Sequence, residues 1–424
     1  MRLSKEGLWI VVGQLLAIVG SLVGVRLLTG MLDPAMYGEL ALGMSVATLI
    51  NQSVMGPLAN SATRFFAPAH EDADTSAYLS SVRRLLMWAT VVIVLIIPVA
   101  LAGLWLSGHL RWTGIFLIAL AFAIFSGYNS ILSGIQNAAR QRAVVALHQG
   151  AESWVRYIIA AALIVWLGAS STVAMSGYVV AALLVLVSQW IYFRPIIAQR
   201  TENPVSHRHW DLEIWRFMWP ISFWGVFTFA QQTSDRWALA IFSSTHEVGM
   251  YAALFQLGYY PISVLTGIAV QFLAPIFFKR AGDARDDKRN ASVSVLSLRL
   301  SGLALGVTFI AFIAAIPLHE LVFHVFVAKE YAAVSYLFPW VLLAGGVFAA
   351  GQIMSLNLMS RMKTNVLMTA KVVTAVVGLA LNFIGAYLYG ITGIVVTACL
   401  FSFLFFGWML VVSRRIQAKS RGSK

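Results

Sequence analysis

Stretches of apolar residues long enough to cross a bilayer recur twelve times along the chain, each closed by charged or turn-forming residues. A helix needs about 20 mostly apolar residues to span about 30 Å of hydrocarbon, and that length sets the reading. In the first half the pattern predicts spans from Leu8 to Leu28, Tyr37 to Leu58, Leu85 to Leu106, Trp112 to Leu132, Val144 to Leu167 and Thr172 to Tyr192. The second half gives Met218 to Phe242, Val248 to Phe278, Leu300 to Leu318, Tyr336 to Leu358, Asn365 to Leu388 and Gly393 to Val412. The second, fifth and eighth spans contain polar residues or prolines such as Pro57 and Pro261, which are tolerated only where a helix faces protein or water. The expected fold is an all-α integral membrane protein with about 12 transmembrane helices.

Composition removes the soluble alternative. Of 424 residues, 59% are hydrophobic and 11% charged, where a soluble domain carries about 25% charged residues. The thirty basic residues outnumber seventeen acidic ones, and their placement carries the information. Twenty-four of them fall in alternate connections or at the chain ends, while only Arg111 and Lys329 fall in the intervening connections. The positive-inside rule then puts both termini in the cytoplasm and explains the excess without a nucleic-acid partner. Arg26 in the first span, with no small-residue cleavage site after it, makes that segment a retained span and not a signal peptide. The longest cytoplasmic connection, Phe193 to Phe217, divides the chain into an expected N-terminal lobe over 1–192, a linker over 193–217, a C-terminal lobe over 218–413 and a basic tail over 414–424.

An internal repeat supports that division. Ala35-Met36-Tyr37-Gly38-Glu39-Leu40 opens the second span, and Gly249-Met250-Tyr251-Ala252-Ala253-Leu254 opens the eighth. Both helices end in paired phenylalanines, Phe65-Phe66 and Phe277-Phe278, and are followed by loops with Glu71, Asp72 and Asp74 or with Asp283, Asp286 and Asp287. Two six-helix lobes with the same inside-out sense are parallel repeats, an arrangement expected to enclose a central cavity.

Charges within spans are the candidate functional groups, because a charged side chain at the bilayer centre costs about 2.5–3.5 kcal/mol on insertion scales. Arg26 lies in the first span, Glu152 and Arg156 in the fifth, Asp235 and Arg236 in the seventh, and Lys371 in the eleventh. Glu152 and Arg156 are four apart and can pair on one helix face. Asp235 and Arg236 point about 100° apart on a helix, so each needs its own partner. The basic majority suits an anionic ligand. There is no phosphate-binding loop, no His-Glu-x-x-His and no paired-cysteine motif, so neither ATP hydrolysis, nor a cofactor, nor a bound metal is expected. The single cysteine, Cys399, lies in an apolar stretch and reads as a buried thiol. Asn290-Ala291-Ser292 matches a glycosylation sequon but falls in a predicted cytoplasmic loop.

The run Arg26, Leu27, Leu28, Thr29, Leu32, Pro34, Tyr37 and Gly38 resembles the opening signature of polysaccharide repeat-unit (oligosaccharide or O-antigen) flippases. These form the polysaccharide-transporter branch of the multidrug/oligosaccharidyl-lipid/polysaccharide exporter superfamily. Asp235-Arg236 followed by Val248-Gly249-x-Tyr251 is similar to the signature that opens the second half in that family. The resemblance implies a non-enzymatic protein of the bacterial inner membrane that moves a polyprenyl-diphosphate-linked oligosaccharide to the outer leaflet by alternating access. It implies Arg26, Arg156, Arg236 and Lys371 as substrate-binding residues, and Asp235 or Glu152 as an ion-linked gate. Asn51, Gln52, Asn129, Gln231, Gln352 and Asn382 are candidate sugar partners. Membrane lipid, a polysaccharide polymerase and chain-length proteins are the partners such a pathway supplies. A multidrug cation antiporter shares the architecture but calls for unpaired carboxylates, and a membrane-embedded glycan polymerase or ligase calls for a sizeable outer loop that this chain lacks.

Overall fold

The computed structural model describes residues 2–198, 209–282, 286–362 and 364–422. Arg200, Pro204, Arg208, Asp283, Arg285, Lys363 and Lys424 lie outside the described residues. The described chain is helical throughout: α1 (Arg2–Thr29), α2 (Pro34–Ile50), a π-helical turn (Asn51–Met55), α3 (Gly56–Glu71), α4 (Thr75–Leu106), a 3-10 turn (Leu110–Trp112), α5 (Thr113–Ala138), α6 (Arg142–Leu167) and α7 (Ser171–Ala198). The second half continues with α8 (Trp210–Phe242), α9 (Thr245–Gly258), α10 (Tyr260–Ala281), α11 (Asp287–Phe326), a 3-10 segment (Lys329–Leu337), α12 (Phe338–Ser360) and α13 (Thr364–Gly422). Nine of the described helices are long and apolar enough to cross a membrane. One of those stretches, Thr369–Arg415, joins two predicted spans and is broken at Tyr389 and Gly390, inside the gap the hydropathy pattern leaves between them. The predicted second span is shared among α2, the π turn and α3, and the predicted eighth between α9 and α10. Pro261 causes the second of these interruptions, since it has no N–H to give the helix and its ring crowds the carbonyl four residues back.

Several helices start well before their apolar stretch. α4 begins at Thr75 and not Leu85, and α11 at Asp287 and not Leu300. Arg83, Arg84 and Arg299 end the hydropathy windows without breaking the helices, because charged side chains leave the backbone bonds intact. Side-chain caps mark the starts of α11, α2 and α9. Asp286 accepts from the backbone N–H groups of Lys288 and Arg289 at 2.8 and 3.4 Å, Asp33 from Met36 N–H at 2.8 Å, and Ser244 from Glu247 N–H at 3.2 Å.

The chain divides into two compact units. Unit 1 comprises residues 1–32 and 39–230, unit 2 residues 33–38 and 231–424. The changeovers thus fall in the turn between α1 and α2, inside α2 and inside α8. Backbone geometry carries the repeat: of the seven positive-φ residues among those described, Ala73 and Gly282, Arg140 and Met362, and Gly168 and Gly390 occupy matching turns of the two halves. With no hydrophobic drive between helices in lipid, close backbone approach and interhelical hydrogen bonds must supply the cohesion. In unit 1, α1 runs parallel to α6, with Gly13, Gly20 and Gly24 against Ala146, Trp154 and Tyr157, and Trp154 Nε1 donates to Leu16 O at 3.1 Å. α5 and α7 are joined by Asn129 Nδ2 to Ala182 O at 3.0 Å and Gln189 Nε2 to Ser133 Oγ at 2.8 Å. Unit 2 uses serines likewise, with Ser301 Oγ donating to Ala350 O at 3.1 Å and Asn357 Nδ2 to Ser413 Oγ at 2.7 Å.

The start of α8 is anchored within unit 1. Trp210, 1% exposed, donates its indole N–H to Asp74 at 2.6 Å and meets the rings of Phe65 and Tyr78 edge-on. Asp211 pairs with Arg84 at 2.7 Å beside it. Trp210→Ala is expected to remove about 3–5 kcal/mol of stability, read as a lower unfolding temperature in detergent. An unchanged midpoint would contradict this anchor.

Candidate functional site

Each unit carries its own charged residues within spans. In unit 1, Arg26 is exposed on α1, and Glu152 and Arg156 are half-buried on α6. The α1–α6 packing places Arg26 and Arg156 on the same stretch of helix pair, because Gly24 of α1 lies directly against the ring of Tyr157. The guanidinium of Arg156 lies over two aromatic faces, 4.7 Å from the Tyr157 centroid and 5.7 Å from that of Tyr178 on α7. Its Nη2 donates to Tyr157 Oη at 3.1 Å. A cation over a ring is stabilised by the negative face of the π system, and more so when water is scarce.

In unit 2, Asp235 is 6% exposed, so its charge needs donors. Oδ2 accepts from the Tyr251 hydroxyl at 2.7 Å and Oδ1 from the backbone N–H of Arg236 at 2.7 Å. Tyr251 is the tyrosine of the second repeat motif, so the motif's aromatic has a specific use. Arg236 turns its guanidinium onto Phe255, 4.9 Å from the ring centroid. The sequence-adjacent pair thus finds separate partners, as the 100° offset requires. Next to them Asn382 Nδ2 donates to Ser234 Oγ at 2.9 Å, and Thr397 Oγ1 donates to Asn382 Oδ1 at 3.1 Å, tying α8 to both legs of α13. Lys371 is half-buried on α13, about three turns before Asn382.

The other candidates separate by role. Asn129 is buried and engaged with α7, which makes it a helix-joining residue. Asn51 stands in the π-helical turn, donating to Ala47 O at 3.1 Å and Ser126 Oγ at 3.0 Å. Such turns are frequent at functional sites because they displace backbone groups from the regular ladder. Cys399 is half-buried, not fully buried, with its thiol 3.3 Å from Trp340 O. Sequence reasoning missed Tyr157, Tyr178 and Phe255 as partners of the arginines. Only Tyr157, next to Arg156, carried a signal, since ring contacts between helices depend on helix rotation.

Carboxylates outside these groups close the helix ends. Glu39 accepts from Ser171 Oγ at the start of α7 at 2.7 Å, and Glu247 accepts from Ile391 N–H at 2.9 Å just after the Tyr389–Gly390 break. Negative charge at a helix N-terminus is favoured by the backbone dipoles.

The family described as "Polysaccharide biosynthesis protein" matches residues 3–281. No curated protein matches the chain. Among solved structures, a multidrug resistance MATE family transporter of the MOP superfamily, in an inward-facing conformation, aligns with a TM-score of 0.73 at 12% identity, over 96% of each chain. The lipid II flippase MurJ aligns with a TM-score of 0.71 at 12% identity, over 97% of this chain and 87% of that one. A MOP superfamily transporter from Pyrococcus furiosus, described by the reversed polarity of its binding pocket, aligns at 0.60 with 17% identity over 97% and 95%. The fold is that of MOP superfamily transporters, and the chain is a multi-pass membrane protein.

Tyr251→Phe removes one of the two donors to Asp235. The expected loss is about 1–3 kcal/mol for a buried carboxylate oxygen left without its partner, measured by thermal unfolding in detergent. Unchanged stability would show that the Asp235–Tyr251 bond carries no net weight.

Proposed function

The chain belongs to the polysaccharide biosynthesis protein family, and from that premise we propose that it is a flippase for a polyprenyl-diphosphate-linked oligosaccharide. It moves the repeat unit across the bacterial cytoplasmic membrane by alternating access, with both termini in the cytoplasm, and passes its cargo to a polymerase and chain-length proteins. The observation that carries this reading is the pair of ring-mounted arginines, Arg156 over Tyr157 and Tyr178 and Arg236 over Phe255. A diphosphate favours guanidinium groups, which bind its oxygens through charge-assisted and often bidentate hydrogen bonds. Arg26 and Lys371 add cationic character on the way, and the amides of Asn51, Gln52, Gln231, Gln352 and Asn382 are of the kind that sugar hydroxyls require. Asp235 and Glu152 are assigned to ion coupling. The lipid tail stays in hydrocarbon while the head group crosses.

The competing reading is export of organic cations. A cation host would be a carboxylate open to its ligand, whereas both oxygens of Asp235 already accept hydrogen bonds, from Tyr251 and from backbone.

The test is leaflet translocation of a fluorescent polyprenyl-diphosphate oligosaccharide in proteoliposomes. Arg156→Gln and Arg236→Gln, at matched insertion, are each expected to slow transfer about tenfold or more, since a hydrogen bond to a charged group contributes about 1.5–3 kcal/mol. Absence of transfer by the intact protein, with proton-driven efflux of cationic dyes in its place, would overturn the proposal in favour of the antiporter.

A further inference from the structure

We infer that Tyr157 and Tyr178 are positioning residues that hold the Arg156 guanidinium in one orientation for a phosphate-bearing ligand; the inference rests on the proposed role of Arg156 in binding the diphosphate. The two rings are held by packing. Gly24 of α1 and Gly177 of α7 have no Cβ, so α1 closes onto the Tyr157 ring and α7 onto the backbone of α6 at Ala160. Each approach would be blocked by a side chain. Tyr157 and Tyr178 are both buried and meet edge to face, with centroids 5.7 Å apart and planes at 88°. Phe122 of α5 lies against Tyr178 at 6.0 Å. Neither ring can turn without opening the junction of four helices, so their faces are fixed references for the cation.

The guanidinium is located by contacts of different kinds. Two ring faces hold it from the side, and the phenol oxygen of Tyr157 takes one N–H at 3.1 Å. Arginine carries five donors in a rigid fork that matches phosphate geometry, but its long side chain loses rotamer freedom on binding. A cradle that removes this freedom beforehand leaves less to lose when the ligand arrives. Such a cradle also limits specificity, because lysine, a point charge on a flexible stem, cannot reproduce the fixed fork.

A structural role for the rings would matter whether or not Arg156 is present, and a positioning role would not. Translocation of the fluorescent polyprenyl-diphosphate oligosaccharide is therefore measured for Tyr178→Leu alone and in an Arg156→Gln background, at matched insertion and unfolding temperature. Tyr178→Leu is expected to slow transfer roughly fivefold, the scale of a partly desolvated cation–π contact. Tyr178→Phe, which keeps the ring, is expected to restore most of the rate, and Tyr178→Leu to add nothing once Arg156 is gone. Tyr157→Phe, which deletes one oxygen and leaves the packing intact, guards against misfolding of the leucine variant and is expected to slow transfer about two- to threefold, again only with Arg156 present. An equal slowing in the Arg156→Gln background, or no slowing by either tyrosine variant in a folded protein, would overturn the positioning role while leaving the flippase reading intact. A wild-type rate for Arg156→Gln itself would remove the binding role of Arg156, and the cradle with it.

Discussion

A cation at membrane depth has little water to solvate it, and in this protein aromatic rings take water's place. Arg156 lies over Tyr157 and Tyr178 in one unit, and Arg236 over Phe255 in the other. The same economy governs Asp235, whose donors are a tyrosine hydroxyl and a backbone N–H. Each arrangement needs helices close enough for a side chain on one to reach the next, and that closeness comes from small residues at the contacts. Gly24 and Gly177 set the spacing around Arg156. Function and packing therefore draw on the same positions, since filling Gly24 would displace the Tyr157 ring and filling Gly177, next to Tyr178, would push α7 away from α6 at Ala160.

The two halves repeat in backbone and differ in chemistry. Their turns reuse the same left-handed positions, at Ala73 and Gly282, Arg140 and Met362, and Gly168 and Gly390. The charged groups do not repeat: unit 1 holds Arg26, Glu152 and Arg156, and unit 2 holds an aspartate beside Arg236, with the Ser234–Asn382–Thr397 chain next to it. A repeat maintained for fold alone would not need charges in different places in its two copies. In the proposed function each unit supplies both a ring-mounted arginine for the cargo and a carboxylate for ion coupling, set at different positions in the two copies.

Much of the architecture is legible in the sequence because lipid imposes a length on every apolar stretch. The break between the last two spans appears in the hydropathy pattern and again as the non-helical geometry of Tyr389 and Gly390. Helix starts are less legible, since charged residues such as Arg83 and Arg299 end an apolar window while the helix continues through them. The candidate charges are visible as exceptions to an apolar pattern, but their ring partners are not, because Tyr178 and Phe255 sit on other helices and look like ordinary spanning aromatics. Asn129 shows the converse: an amide that reads as a sugar ligand is engaged in joining α5 to α7. Only the rotation of each helix separates these roles, and the sequence period alone leaves that rotation open.

The central claim is recognition of an anionic lipid-linked sugar by fixed arginines. Its most direct test is the affinity of the purified protein for one oligosaccharide carried on a polyprenyl diphosphate and on a neutral polyprenyl ether, measured across a range of salt concentrations. The account predicts tighter binding of the diphosphate, with the difference lost when Arg156 and Arg236 are both replaced by glutamine. Equal affinity for the two lipids, unchanged in that double variant, would contradict it.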